Sequence, residues 1–228
     1  MALLRVFLLG APSVEWEGAF LNIPRRRVRA LLFRLALEMQ PVGREHLATL
    51  FWADVPDSDA HRDLTHLLTH LRRALPLPDM VQCTTDYVFL SPRHVWSDTS
   101  AFLELFRAPE THLPRDLLLR GLALLRGPLL DGYCLDDGAE FEEWLTVERS
   151  VWERRTAILL AAVEREQGAM SNVAASITCA HHLPCMDMDA DAHRRLVEGQ
   201  LSGGNQDAVR KRWEAVNEQM REWEAHTG

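Results

Sequence analysis

The sequence lacks the features of a membrane or secreted protein. No apolar run approaches the roughly 20 residues that a membrane-spanning helix needs. The first residues, Met-Ala-Leu-Leu-Arg-Val, lack the basic start and small-residue cleavage site of a signal peptide. Four cysteines in 228 residues are too few for a disulfide framework. These absences predict a bacterial-type cytoplasmic protein with reduced thiols and no membrane partner.

Lysine is nearly absent, and the negative charges are unevenly distributed. All but one of the 25 basic residues are arginine, the exception being Lys211, and the net charge is −8. Residues 1–100 contain 11 arginines and 11 acidic residues, so the excess of negative charge follows residue 100. A neutral domain can bind a polyanion through a local basic face, whereas an acidic domain suits protein partners. The charge distribution therefore predicts two parts with different roles.

Enzyme and cofactor signatures are absent from the sequence. It has no phosphate-binding loop, dinucleotide fingerprint or Gly-x-Ser-x-Gly motif, which predicts a protein without catalytic activity or cofactor. Two segments contain residues that can ligate metals. Residues 179–185 carry two Cys and two His but lack the distant second pair of a zinc site. Residues 187–198 place acids as in a calcium loop, but Ala192 replaces its required glycine. Both are interpreted as parts of helices, with no metal.

The most informative segment is a predicted helix over about residues 59–75, whose two faces differ. Its apolar residues recur at helical spacing on one face: Leu64, Leu67, Leu68, Leu71 and Leu75. The opposite face carries hydrogen-bond donors and no acid: Arg62, His66, Thr69 and Arg73. Such a helix suits a DNA major groove. An ordinary solvated helix would show the same pattern, so the surrounding segments decide between the two interpretations.

Those segments predict an α+β winged helix-turn-helix over residues 1–98. Strands are expected at 3–9, 14–16 and 20–23. A helix follows Pro24 and ends before Pro41, and a short helix contains Leu47, Leu50 and Phe51. Residues 52–59 are expected to form a loop that caps the donor-faced helix. A hairpin of 81–84 and 87–90 around Thr85-Asp86 is the predicted wing.

The remainder, residues 99–228, is predicted to be an all-α domain. The expected helices are 99–107, 114–126, 138–167, 170–182, 189–202 and 205–224. Gly168 and Gly203 are 35 residues apart, and each precedes a helix with small residues. That period is typical of tetratricopeptide helical hairpins, which bury their faces by stacking. The first of these helices is expected to pack on the winged helix through Phe102, Leu105 and Phe106.

The order of these weak motifs resembles a known family. Val42-Gly-Arg-Glu-His-Leu47, Leu50-Phe-Trp52 and Leu71-Arg-Arg-Ala-Leu75 resemble the OmpR-type winged helix. The second half resembles the bacterial transcriptional activator domain in Leu124-Leu-Arg-Gly-Pro-Leu-Leu130, Glu143-Trp144, Arg149, Gly168, Pro184, Gly203 and Ala208. Together they resemble the regulators of the Streptomyces antibiotic regulatory protein type. The resemblance covers nearly the whole chain.

The resemblance implies a DNA-binding transcriptional regulator. Its groove-reading residues would be Arg62, Thr65, His66, Thr69, His70 and Arg73, with Arg72 and Arg93 at phosphates. The helical domain would support dimerisation, regulation or contact with RNA polymerase, and the loop 53–59 corresponds to a segment that can touch the polymerase. The alternative is a helical-repeat module that binds a protein or small ligand, with the winged helix kept as a scaffold that does not bind DNA.

Two further residue groups have alternative interpretations. Arg25, Arg26, Arg27 and Arg29 either hold phosphates or form a solvated helix start, although positive charge there opposes the helix dipole. The tryptophans at 144, 152, 213 and 223 are interpreted as core or interface residues rather than as a ligand cage. For Trp213 and Trp223 the hypothesis is that the last helix contributes to a dimer interface or covers the next repeat of a longer chain, and the alternative is that both pack within the repeat.

Overall fold

The computed structural model describes residues 3–105 and 114–167, with side chains described as far as Val163. The chain divides into two compact units. The first comprises Met1–Thr111 with Ala123–Trp152, and the second comprises His112–Leu122 with Glu153–Gly228. The predicted helices at 170–182, 189–202 and 205–224, both metal-like segments, Phe106, Trp213 and Trp223 lie outside the described residues.

The first unit begins as a mixed α/β fold. In chain order its elements are β1 (Leu4–Phe7), β2 (Ser13–Trp16), β3 (Ala19–Phe20), α1 (Arg26–Glu38), β4 (Val42–Gly43), α2 (Arg44–Trp52), α3 (Asp57–Ala74), β5 (Val81–Cys83), β6 (Tyr87–Leu90), β7 (Val95–Ser97) and α4 (Asp98–Leu105). Two more helices follow, α5 (Arg115–Leu124) and α6 (Ala139–Gln167). No helix among the described residues combines the length and apolar character needed to cross a membrane.

A four-stranded sheet opens the unit, in the order β3-β2-β1-β7. β1 pairs antiparallel with β2 and parallel with β7. The predicted strand 3–9 is shorter than expected, because the Leu8 and Leu9 amides donate to the Asp98 carboxylate instead of to a strand. Asp98 is 1% exposed and also accepts from the Thr99 amide. It therefore joins the end of β1 to the start of α4.

Three helices form the core beside this sheet. α1 is buried along most of its length. α3 packs on both α1 and α2. α3 begins at Asp57, two residues before the predicted start. Asp57 and Asp59 lie in its first turn, where carboxylates favour the positive end of the helix dipole. The linker between α2 and α3 is accordingly shorter than the predicted loop 52–59.

The predicted hairpin forms a three-stranded sheet in the order β4-β6-β5. Val81 pairs with Leu90, and Cys83 pairs with Val88, so the turn of the hairpin lies at residues 84–86. β4 adds Val42 and Gly43 to the outer side of β6. This pairing places the start of α2 beside the turn. Residues 84–86 are called the wing turn below.

Residues 125–138 belong to the same unit as the winged helix. Leu9 and Leu129 form a β-bridge, and the Leu130 amide donates to the Leu8 carbonyl. The Arg126 amide donates to the Leu9 carbonyl, which explains why α5 ends at Leu124 rather than at the predicted residue 126. Gly10 has a φ of 119°, and a Cβ there would lie 3.0 Å from the Arg126 Cβ. Close backbone approach therefore requires glycine at this position.

The first half of α6 is held by aromatic contacts. Phe141 is fully buried, with ring centroids 5.5 Å from Phe51 and 6.4 Å from Tyr133. Trp152 is 1% exposed and lies 5.4 Å from Phe102, so both residues are core, as predicted for that tryptophan. Trp144 is half-buried. Its ring lies under the guanidinium of Arg34, at 5.1 Å.

Candidate nucleic-acid interface

α3 presents a buried back and a solvent-facing front, as the sequence predicts. Leu64, Leu68 and Leu71 are almost completely buried, and Leu67 is 7% exposed. The front carries the exposed side chains Arg62, Thr65, His66, Arg72 and Arg73 and the half-buried side chains Thr69 and His70. The predicted groove-reading residues thus lie on one helix. Their surroundings differ from one residue to the next.

Arg62 is engaged by carboxylates of its own helix. Its Nη1 lies 2.7 Å from Asp59 Oδ1, and its Nε lies 3.3 Å from Asp63 Oδ1. The sequence predicts a front without acids, and this prediction is wrong. Asp59 lies three positions before Arg62, which places it on the same face of α3, and Asp63 is the next residue, so both carboxylates reach the guanidinium. The N-terminal part of the front therefore carries two carboxylates against one guanidinium, a net negative charge.

The two threonines of the front use their hydroxyls within α3. Thr65 Oγ1 donates to the His61 carbonyl at 2.9 Å, and Thr69 Oγ1 donates to the Thr65 carbonyl at 2.9 Å. These bonds to the preceding turn are common for threonine in helices. Thr65 Oγ1 also accepts a hydrogen bond from Arg44 Nη2 at 3.1 Å. Its hydroxyl is therefore occupied on both the donating and the accepting side.

Basic side chains gather around the C-terminal half of the front. Burial, followed by the charges of Arg25, Arg73 and His66, lowers the pKa of His70 from its ordinary value of 6.5. Arg25 is the N-cap of α1, so α1 contributes a cation next to α3. No ion pair of Arg73 or Arg25 is present among the described residues. Arg25, His66, His70 and Arg73 are called the basic surface below.

The two predicted phosphate contacts lie apart from each other. Arg72 is exposed near the C-terminal end of α3, and its Nε lies 3.4 Å from the Val81 carbonyl at the start of β5. Arg93 is exposed in the turn between β6 and β7. That turn follows the end of β6, whereas the wing turn precedes β6. The structure therefore places Arg93 at the opposite end of the hairpin from the wing turn.

Most of the arginine cluster that begins α1 is bound within the chain. Arg26 forms an ion pair with Asp136, and Arg27 Nη2 donates to the Asp137 carbonyl at 2.9 Å. Arg29 Nη1 donates to the Ile23 carbonyl at 2.7 Å. Three of the four arginines are therefore bound to other groups of the chain. The fourth, Arg25, belongs to the basic surface.

Arg44 lies beside the front of α3, and the sequence alone does not single it out. It is the first residue of α2, and the only sequence signal was its place in Val42-Gly-Arg-Glu-His-Leu47. Its importance comes from contacts with residues 21 and 42 positions away, the Thr65 hydroxyl and the Asp86 carbonyl. No local period reveals contacts of that kind.

The described part of the chain offers no metal centre. None of its residues forms a group of three or more His, Cys, Asp or Glu side chains that could hold an ion. Cys83 and Cys134 are free thiols on different segments. The interface is therefore built from hydrogen-bond donors and positive charge.

Comparison with known proteins adds a likeness of fold. No protein-family model matches the sequence, and no curated protein matches it. Among solved structures, EmbR of Mycobacterium tuberculosis in complex with a low affinity phosphopeptide is similar, with a TM-score of 0.50 and 18% sequence identity. The alignment covers 98% of this chain and 72% of that chain. At this identity the similarity shows the fold alone: a mixed α/β N-terminal region followed by helices.

Proposed function

We propose that this chain is a DNA-binding transcriptional regulator without catalytic activity. α3 is the recognition helix in the major groove, and the hairpin β5–β6 is the wing. The observation that carries the proposal is the basic surface on a helix whose opposite side is buried. Its positive charge comes from Arg73 of α3 and from Arg25 at the N-cap of α1, beside two histidines of α3, and neither arginine has an acidic partner among the described residues. Positive charge of this kind supplies affinity for DNA phosphates.

The proposal includes roles for the rest of the chain. Residues 1–98 form the winged-helix domain, and residues 99–228 form a tetratricopeptide-like domain. The latter supports dimerisation, regulation by a protein or small ligand, or contact with RNA polymerase. The likeness to EmbR supports this arrangement at the level of fold. The protein acts in the cytoplasm, where DNA and polymerase are available.

One observation favours the second candidate function, a protein- or ligand-binding module with a scaffold winged helix. At the N-terminal half of the recognition face, the two carboxylates of Asp59 and Asp63 outweigh the single positive charge of Arg62. Acidic residues on such a face repel phosphates and weaken the attraction of its basic residues. The candidate functions therefore differ in whether the charge of the basic surface outweighs these two carboxylates.

Selection of DNA by the full chain separates the two. The protein is incubated with random-sequence duplexes at one stated salt concentration, and bound duplexes are amplified and sequenced over several rounds. A regulator enriches a defined sequence motif, and that duplex is shifted in a native gel at lower protein concentration than a scrambled duplex. Absence of enrichment together with no gel shift of the random-sequence duplexes would favour the scaffold function.

A further inference from the structure

The start of α2 is the place where three DNA-facing elements of the proposed interface meet. The Arg44 amide donates to the carbonyl of Asp86 in the wing turn at 2.8 Å. Its guanidinium Nη2 donates to Thr65 Oγ1 on α3 at 3.1 Å. One residue of α2 is thus hydrogen-bonded to both the wing and the recognition helix.

The charge of Arg44 is not neutralised within the described part of the chain. Its guanidinium forms no ion pair there, unlike Arg62 and Arg26, which do. A guanidinium has five N–H donors, and Thr65 accepts from one nitrogen of this group. The side chain is half-buried, so its orientation is constrained while donors stay accessible. An arginine with a constrained side chain, accessible donors and no ion pair is suited to bind an anion.

The wing turn itself supplies no positive charge. Its residues are Thr84, Thr85 and Asp86, and Tyr87 follows it. Thr84 Oγ1 accepts from the Tyr87 amide at 3.0 Å, which closes the turn. A wing that approaches a DNA backbone needs a cation beside it, because phosphate contacts provide most of the affinity. Arg44 is the basic residue bound to this turn.

We propose, building on the proposed function, that Arg44 is a phosphate-binding residue and that Thr65 positions it rather than reading a base. Thr65 donates its proton to the His61 carbonyl and accepts from Arg44. It therefore has no donor left for a base edge. The guanidinium, held at a fixed place between α3 and the wing turn, binds a backbone phosphate through two parallel N–H donors. The contact sets how deeply α3 enters the groove without adding sequence preference.

The test uses the full chain, the duplex selected by the wild-type protein and a scrambled duplex of the same length. The variants are Arg44→Ala, Arg44→Lys and Thr65→Val. Arg5→Ala is the matched control, since Arg5 is an exposed arginine of β1 in the N-terminal sheet. The dissociation constant of each is measured by fluorescence anisotropy over a series of salt concentrations. Thermal unfolding of every variant checks the fold.

Arg44→Ala is expected to weaken binding of both duplexes by the same factor, about tenfold, and to lower the salt slope by about 1. Arg44→Lys retains the slope, because the charge remains, but loses a few-fold in affinity, because an ammonium lacks the planar fork. Thr65→Val weakens binding slightly and selects the same motif. Arg5→Ala changes neither affinity nor slope.

Two results would overturn the proposal. An unchanged salt slope in Arg44→Ala would show that no phosphate contact is lost. A changed motif selected by Thr65→Val would show that Thr65 reads a base. If Arg44→Ala fails to fold, Arg44→Gln, which also removes the charge, takes its place in the slope measurement, and the motif of Thr65→Val is the second test. Failure of the wild-type chain to select any duplex overturns the proposed function, whereas wild-type binding that is indifferent to Arg44 overturns only this inference.

Discussion

Two arginines on the front of α3 differ in how readily their charges can pair with a phosphate. Arg62 and Arg73 both lie on the front of α3, but Arg62 is bound to Asp59 and Asp63, and Arg73 has no ion pair among the described residues. A guanidinium that already has two carboxylate partners gains little from a phosphate, because the old contacts must be given up. The free guanidinium gains the full contact.

Arg73→Ala is therefore expected to weaken binding of the selected duplex by about 1–3 kcal/mol, whereas Arg62→Ala costs less than about 1 kcal/mol. Thermal stability changes little in either variant, since both side chains are exposed. Anisotropy titrations at one salt concentration measure the difference. An Arg62→Ala effect equal to or larger than that of Arg73→Ala would show that the ion pairs of Arg62 do not persist.

The basic surface also predicts a pH dependence of DNA binding. The pKa of His70 is lowered from 6.5 by burial and by Arg25, Arg73 and His66, so His70 is neutral at pH 7 in the free protein. Phosphates favour the charged form, so affinity is expected to rise as the pH falls through and below 6.5. Affinity is correspondingly lost as the pH rises.

His70→Gln is the variant that tests this dependence, because glutamine keeps a polar side chain that does not titrate. It should flatten the pH profile of the dissociation constant relative to the wild type. His46→Gln is the control, since burial and the charge of Arg34 also lower the pKa of His46, but His46 is not part of the basic surface. Equal slopes for wild type and His70→Gln would exclude His70 from the interface.

At the scale of elements, the segment between α5 and α6 determines how the first unit holds together. Arg149 of α6 donates to three carbonyls of this segment, those of Leu129, Leu130 and Tyr133, at 3.1, 2.8 and 2.9 Å. Tyr133 in turn donates to the Arg26 carbonyl at 2.8 Å. Burial raises the pKa of Tyr133 to about 12, so its hydroxyl stays protonated and keeps donating.

Arg149→Ala is expected to lower the free energy of unfolding by about 2 kcal/mol, since three carbonyls lose a charged donor. The midpoint of urea denaturation measures the change. Arg93→Ala, which removes an exposed arginine of the turn between β6 and β7, is the control and should leave the midpoint unchanged. An equal midpoint for Arg149→Ala and the wild type would mean that water replaces these bonds without cost.

The same segment places an acidic residue, Asp136, beside the start of α1. Asp136 pairs with Arg26, and both side chains are at least half exposed. Asp136→Asn is expected to raise affinity for the selected duplex by a few-fold, because it removes a negative charge and frees a cation near Arg25. Asp131→Asn, an exposed acid of the same segment, is the control for charge alone. A larger gain from Asp131→Asn would contradict the role of the ion pair.

These elements show what the sequence can and cannot predict. The apolar stripe of α3 and the hairpin at 81–90 follow from local periodicity and turn residues, and both form as predicted. The Arg26–Asp136 pair joins residues 110 positions apart, and Arg44–Thr65 joins two helices. Such contacts depend on how elements pack, so no spacing along the chain reveals them. The Asp59–Arg62 ion pair, in contrast, is local, and its three-residue spacing on a predicted helix is enough to reveal it.

At the scale of the molecule, the winged helix is completed by residues that follow it by more than 20 positions. Phe33 and Phe51 contact Tyr133 and Phe141. Asp98 is near Arg126, with Nη2 and Oδ2 3.5 Å apart. The unit defined by contacts therefore extends to Trp152, although the pattern of elements along the sequence predicts a domain boundary near residue 98.

A fragment of residues 1–98 is expected to lack a cooperative thermal transition, because it exposes the faces of Phe33 and Phe51 to water. A fragment of residues 1–152 restores these partners and should unfold cooperatively. Circular dichroism during heating distinguishes them. If residues 1–98 unfold cooperatively at the temperature of the longer fragment, the packing of Tyr133 and Phe141 does not contribute to the stability of the winged helix.

Duplex DNA is expected to bind at the front of α3 and beside the wing turn. Hydrogen–deuterium exchange of the full chain, with and without the selected duplex, locates the bound surface. We expect slower exchange in α3, at the start of α2 and in residues 84–86, with no change in β2 and β3. Protection confined to α5 and α6, with α3 unchanged, would contradict it.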